Sequence, residues 1–296
     1  MSILSLHNIT KSYGRIQALN GVSFEVPAGS VFGILGPNGS GKTTLLGIVT
    51  DVLKADSGSF TLFDGSPDAD ARKKMGTLLE TPNFYHYLSA YDNLRIAASI
   101  KGRGEDDIAR VLDIAGLTER QHSKFKTFSL GMKQRLAIAS ALLGDPGVLV
   151  LDEPTNGLDP VGIAEVRNLI RKLATSGKTV IMASHLLDEV EKVCDHVAIM
   201  LKGKLLMSGP VSLVISREDY VLELSAADLE GLQQKLSTHP ELASIASSNG
   251  LLHVSFKNGT IAEDVNAWCF SNGIRLNHLV IRKKSLEAAF FEITKA

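Results

Sequence analysis

Gly36-Pro37-Asn38-Gly39-Ser40-Gly41-Lys42-Thr43-Thr44 fits the pattern G-x-x-x-x-G-K-[ST]. Glycines in such a loop let consecutive backbone N–H groups turn inward around phosphate oxygens, where bulkier residues would obstruct them. The flanks agree. Val31 to Leu35 reads as a short buried strand, and Lys42 to Val52 as a helix whose positive N-terminal end adds to the anion site. A phosphate cradle of this kind takes a nucleotide as its natural occupant. Lys42 then reaches the β- and γ-phosphates and the Thr43 hydroxyl ligates Mg²⁺, the roles the chemistry assigns to those two positions.

A second element fits the first. Val148-Leu149-Val150-Leu151 is a continuous apolar run, typical of a central parallel strand, and it ends in Asp152-Glu153. Ligands bind at the carboxyl ends of such strands, and successive strand residues face opposite ways, so the two carboxylates have different tasks. Asp152 suits support of Mg²⁺. Glu153 suits a general base that orients and activates water. Thr179 to Ala183 reads as a neighbouring buried strand, with Ser184 and His185 at its carboxyl end, which makes His185 a candidate to contact the γ-phosphate. Ser129 before Leu130-Gly131-Met132-Lys133-Gln134-Arg135 has the character of a helix N-cap, and Gly131 allows close approach to that helix's donor-rich end. The chain thus holds two phosphate-binding features. Tyr13, in the Lys11 to Gly14 turn between two alternating strands, Ile3 to Thr10 and Ala18 to Val26, could stack on a base. Glu80 closes another strand and could face a metal or water.

The composition excludes several classes. Of 296 residues, 44% are hydrophobic, as in an ordinary globular protein, and the formal net charge is -1 from 31 basic and 32 acidic residues. No global field marks a nucleic-acid or polybasic membrane binder, so nucleic acid is not expected as a partner. The only cysteines, Cys194 and Cys269, lie far apart, which argues against a disulfide framework or zinc site and fits a reducing cytosol. No apolar run approaches the roughly 18 to 20 residues of a membrane span, so the chain is expected neither to enter nor to cross a membrane by itself.

Between Ala90 and Leu143 the periodicity is helical, in a helical subdomain spanning about residues 84 to 145. The loop before it carries Phe84, Tyr85, Tyr87 and Tyr91, rings enough either for a protein contact or for a small satellite core. Gly209-Pro210 closes the first domain, placed at residues 1–212. Residues 213–296 then read in the order β-α-β-β-α-β, that of a small ferredoxin-like α+β domain, with a closing helix and no chemistry of its own.

These residues together resemble the ATP-binding subunit of a bacterial ABC transporter, over about Ile3 to Pro210. Gly36 to Thr44 is similar to the Walker A loop, Ser129 to Arg135 to the signature motif, and Val148 to Glu153 to Walker B. Leu158 and Asp159 resemble the D-loop, His185 the switch histidine, and Tyr13 the adenine-stacking aromatic. The resemblance implies an α/β P-loop NTPase fold, in which a mainly parallel core sheet joins an antiparallel β subdomain and a helical subdomain. It implies ATP with Mg²⁺, bound by Tyr13, Gly36, Pro37, Asn38, Gly39, Ser40, Gly41, Lys42, Thr43 and Thr44. It also implies a head-to-tail dimer in which Ser129, Leu130 and Gly131 of a second ATP-binding subunit, with Asp159 of the D-loop, complete each site. Membrane permease subunits would dock beside the Glu80 to Tyr91 loop, which would hold the chain on the inner face of the cell membrane. Glu80 departs from the family, which usually has Gln there; a carboxylate cannot donate an amide's hydrogen bonds, so metal contact and coupling are altered. Glu-bearing loops and a C-terminal extension of this kind resemble the exporters of drugs and of bacitracin- and lantibiotic-like peptides. A soluble ABC ATPase acting on a macromolecule is the alternative, but it usually carries two ATP domains or a long coiled coil, and this chain has neither.

Overall fold

The alternating N-terminal residues form a three-stranded antiparallel sheet in the computed structural model, which describes residues 2–80, 83–215, 220–257, 261–283 and 285–295. In chain order come β1 (Ser2–Tyr13), β2 (Ile16–Pro27), β3 (Val31–Leu35), α1 (Lys42–Val49) and β4 (Ser57–Leu62). The first sheet has the order β2-β1-β4. Tyr13 is the last residue of β1, paired with Ile16 across the hairpin, and not part of the turn itself. Helix α1 stops at Val49, three residues before the expected end, because Thr50 leaves the helical geometry and Asp51 takes a left-handed φ of 67°.

The next elements are α2 (Ala69–Lys73), β5 (Met75–Leu78), α3 (Ala90–Lys101), α4 (Ile108–Ile114), α5 (Leu130–Leu142), β6 (Val148–Asp152) and α6 (Pro160–Thr175). Then follow β7 (Thr179–Ser184), α7 (Leu187–Val193), β8 (His196–Leu201) and β9 (Lys204–Pro210). The main sheet has the order β5-β6-β7-β3-β8-β9, parallel except for β9. Every residue of β3, β6 and β7 is buried, which is why these runs read as continuously apolar. One core joins both sheets around α1: Leu6, Val22 and Phe24 meet Phe32, Ile34, Leu45 and Ile48, with the rings of Phe24 and Phe32 stacked at 5.3 Å.

Helices α3, α4 and α5 bury Leu94, Ile108, Val111, Leu112 and Leu136 among themselves and the loops between them. Where α5 meets β5 only glycine fits: a Cβ on Gly76 would lie 2.2 Å from the Ala141 carbonyl oxygen. Gly76→Ala should therefore lower stability by about 1–3 kcal/mol and the melting temperature by roughly 2–4 °C per kcal/mol. A thermal melt matching wild type would show that this junction yields without cost.

Contacts divide the chain into residues 2–211 and 212–295. The second unit holds α8 (Val211–Val214, starting at the division), β10 (Tyr220–Ala226), α9 (Leu229–Leu236), β11 (Leu242–Ser248), β12 (Leu251–Phe256), α10 (Ala262–Ser271), β13 (Leu276–Lys283) and α11 (Leu286–Lys295). Its sheet is antiparallel in the order β11-β12-β10-β13, the ferredoxin-like arrangement. Leu222, Leu224, Leu252 and Val254 of the sheet pack with Leu232 and Leu236 of α9 and Val265 and Cys269 of α10. Helix α9 starts only at Leu229 because β10 runs on to Ala226 and the Asp228 carboxylate caps the Gly231 N–H. Thr81 and Pro82 of the aromatic loop lie outside the described residues, as does Thr260 ahead of α10.

Candidate functional site

The phosphate loop leaves the carboxyl end of β3 and delivers its residues to the first turn of α1. Two glycines make the loop possible. Gly36, at φ 157°, would put a Cβ 2.4 Å from the Met200 carbonyl oxygen, and Gly41, at φ 105°, would put one 2.5 Å from that of Ala18. The Ser40 hydroxyl, 1% exposed, has no partner. Lys42 is buried, and its Nζ donates to the carbonyls of Gly36 (2.8 Å) and Pro37 (3.3 Å).

Strand β6 places its two terminal carboxylates differently, as the pleat demands. Asp152 is buried at the strand's last position near the Thr43 hydroxyl, and among the described residues its buried Oδ1 has no hydrogen-bond partner. Burial raises its pKa, and the charges of Glu153 and Glu80 add to that, against the Thr43 hydroxyl and Lys42. Glu153 stands just beyond the strand at a left-handed φ of 47°, its N–H bonded to the Ala183 carbonyl at 3.0 Å. Its Oε1 lies 3.5 Å from Lys42 Nζ and its Oε2 2.8 Å from His185 Nδ1. Pairing of β6 with β7, Asp152 opposite Ala183, is what brings His185 here. Sequence aimed His185 at a phosphate; in the structure it holds the neighbouring carboxylate.

A groove of about 520 Å³ opens over this loop. Tyr13, Asn38, Gly39, Gly41, Lys42, Thr43, Thr44 and Glu153 line it, whereas Gly36, Pro37 and Ser40, also expected to hold nucleotide, do not. Ile16, Gln17, Ala18 and Lys202 line it too, and no motif pointed to them. They arrive on two hairpins that the Asn20 N–H to Gly203 carbonyl bond (2.8 Å) ties together. Tyr13 is 46% exposed, with the Lys11 ammonium 5.8 Å from its ring centre, so the ring has an open face.

Ser129, Gly131, Asp159 and Glu80 do not line the groove. Ser129 is the exposed N-cap of α5 and accepts from the Met132 N–H at 3.3 Å; Leu130 beside it is 50% exposed. Asp159 caps α6, its Oδ1 accepting from the Gly162 N–H at 2.8 Å. Glu80 is exposed after β5 at φ 59°. Among the described residues no cluster of three or more His, Cys, Asp or Glu side chains could hold a metal by itself.

A glycine loop feeding a helix from a parallel strand, with a carboxylate pair closing another strand of the same sheet, defines a P-loop nucleoside triphosphatase. Residues 19–156 match the model of the ABC transporter family. The chain is 31% identical to the bacitracin transport ATP-binding protein BcrA of Enterococcus faecalis, over 98% of this chain and 96% of that one. It is 35% identical to the protein of that name from Bacillus licheniformis, over 99% and 97%. The lantibiotic transport ATP-binding protein SrtF of Streptococcus pyogenes is 41% identical over 69% of this chain and 90% of its own. Among solved structures, cbiO1 of Clostridium perfringens, part of the transporter complex cbiONQ, superposes with a TM-score of 0.67 at 30% identity, covering 73% of this chain and 91% of cbiO1. A dimeric ATP-binding cassette in a post-hydrolysis state bound to ADP and phosphate gives 0.62 at 28% identity, covering 70% and 98%. This chain belongs to the ATP-binding proteins of ABC transporters and is an ABC ATPase, a nucleotide-binding subunit of a transport system. None of its described helices is long and apolar enough to cross a membrane.

Proposed function

We propose that this ATPase powers export of a drug, peptide or lipid, with peptide antibiotics of the bacitracin and lantibiotic kinds the favoured cargo. The likeness to the bacitracin transport proteins carries this reading, because it runs through the C-terminal unit as well as the ATPase. Deleting the gene should sensitise cells to such a peptide, and a Glu153→Gln copy should fail to restore resistance. Unchanged sensitivity across bacitracin- and lantibiotic-like peptides would remove that cargo class.

In this reading ATP lies in the groove with its base on Tyr13 and its phosphates in the Gly36 to Thr44 loop, where Lys42 exchanges Glu153 for phosphate oxygens. Glu153, oriented through its other oxygen by His185, accepts a proton from the attacking water. The partnerless Asp152 Oδ1 and the Thr43 hydroxyl fit Mg²⁺, which supplies charge neutralisation at the phosphates. Glu80, whose charge adds to the rise in the Asp152 pKa, would be the third residue supporting that ion. Removing the Tyr13 ring takes away stacking of about 1–3 kcal/mol, so Tyr13→Ala should raise the KM for ATP by roughly 5- to 150-fold with kcat little changed. An unaltered KM would place the base elsewhere.

Two copies of the chain pair head to tail, each presenting Ser129, Leu130, Gly131 and Asp159 to the nucleotide of the other. Exposure of that helix end, outside the groove of its own chain, supports this arrangement. The permease docks on a second groove of about 580 Å³ between β5 and the helices, lined by Leu79, Phe84, Tyr85, Ile96 and Ile100 among others. The aromatic loop divides its work there: Phe84 packs edge-on against buried Phe125 at 5.2 Å, while Tyr85 and Tyr87 stay exposed. Docking would hold the subunit on the inner face of the membrane.

A further inference from the structure

Helix α10 turns Ala262, Val265 and Cys269 into the core of the C-terminal unit and leaves Glu263, Asn266, Ala267 and Phe270 exposed on its other side. Those four stand at i, i+3, i+4 and i+7, a single stripe about two turns, or roughly 10 Å, long. With Ile274 and Arg275 from the turn into β13, they line a cavity of about 540 Å³. Phe270 is 69% exposed, so its ring adds little to the core of its own unit. Charge divides along the stripe. Glu263 lies in the first turn of α10, and Arg275 follows beyond its last turn, on the side of Phe270. Among the described residues the ion pairs of this unit gather on Glu223, with His253, His278 and Arg282, and none engages Glu263 or Arg275.

A stripe with an acid at one end, a small residue near its middle and an aromatic beside a cation at the other end is complementary to itself. Turned antiparallel by a two-fold axis near Ala267, a copy sets the partner's Phe270 and the partner's Arg275 against Glu263, and the same contact recurs at the other end. Ala267 leaves room for the helices to approach, and the exposed ring gains a buried seat. A parallel copy would face acid with acid and cation with cation. We propose that this face of α10 receives α10 of a second copy of the chain, Phe270 of each seated in the cavity of the other and Glu263 paired with the partner's Arg275. A contact two helical turns long falls short of the roughly 1,200 Å² of a stable interface, so it does not hold free chains together. It forms once ATP has joined two copies, when each C-terminal unit meets the other at high effective concentration. The inference rests on the head-to-tail pairing proposed above and adds a second point of contact to it.

The test uses the full-length Glu153→Gln protein with ATP, diluted in light scattering to find the concentration at which dimer becomes monomer. Glu263→Arg or Arg275→Glu, added singly, sets like charges against each other at both ends of the contact. Each should raise the dissociation constant of the dimer at least about tenfold, while ATP binding by the separate subunit stays unchanged and reports that the variant is folded. Mixing the two should restore the dimer, because each copy then carries the complement of the other. Phe270→Asp should weaken the dimer as much and gain nothing from mixing with either. Single reversals that dimerise like the parent, or a mixture no tighter than its components, would overturn the pairing of α10. Variants that pair normally yet no longer sediment with permease-bearing membrane vesicles would give the cavity to a different partner, which overturns it too. No ATP-dependent dimer from Glu153→Gln itself would remove the head-to-tail reading, and this inference with it.

Discussion

Glu153→Gln should reduce steady-state ATP hydrolysis by about 10²- to 10⁴-fold while ATP still binds. The amide keeps the shape of the carboxylate and can still meet His185, but it cannot take a proton from water. It also leaves Lys42 without the anion now 3.5 Å away, so phosphate meets less competition for the ammonium and ATP affinity should hold or rise. Binding without cleavage traps the nucleotide-closed pair. Light scattering after size exclusion should therefore show monomer without ATP and dimer with it. Normal turnover in this variant would remove Glu153 as the base. An unchanged mass despite bound ATP would mean that the pair assembles by another route, through the C-terminal unit or the membrane subunits.

Ser129→Glu should be nearly as damaging by a different path. Ser129 lies outside the nucleotide groove of its own chain, so a single subunit should bind ATP as before. In the closed pair the new carboxylate would face the γ-phosphate of the opposite copy, where like charges repel. ATP-dependent dimerisation should be lost, and turnover should fall by about 10²-fold or more. Mixing sharpens the test. A Ser129→Glu copy still carries an intact Lys42, and a Lys42→Ala copy an intact Ser129, so the two together form one complete site. Activity recovered on mixing two nearly inactive proteins supports a shared site; no recovery, with a mixed dimer demonstrated, would overturn it.

The parts of the site that sequence exposed are those whose chemistry is local. The phosphate loop, the helix behind it and the carboxylates closing β6 are each fixed by neighbours within a few residues, so pattern and periodicity sufficed. Alternation also marked the β1–β2 hairpin and the ferredoxin-like order of the second unit. Contributions made through tertiary pairing were hidden. Gln17 and Lys202 carry no motif and reach the groove only because two hairpins are tied at Asn20 and Gly203. The left-handed backbone of Glu153 cannot be read from a residue type that seldom adopts it.

If Lys42 takes the phosphates as proposed, its contact with Glu153 makes nucleotide capture an exchange of counter-ions rather than a filling of vacant positive charge. The ammonium is already neutralised in the resting subunit, so it projects little long-range field. Capture rates should depend only weakly on ionic strength, unlike those of a phosphate binder with bare lysines. Until phosphate takes the carboxylate's place, the lone pairs that should receive water's proton face an ammonium instead. In the proposed site, the carboxylate that neutralises the ammonium at rest is the one that would later serve as base.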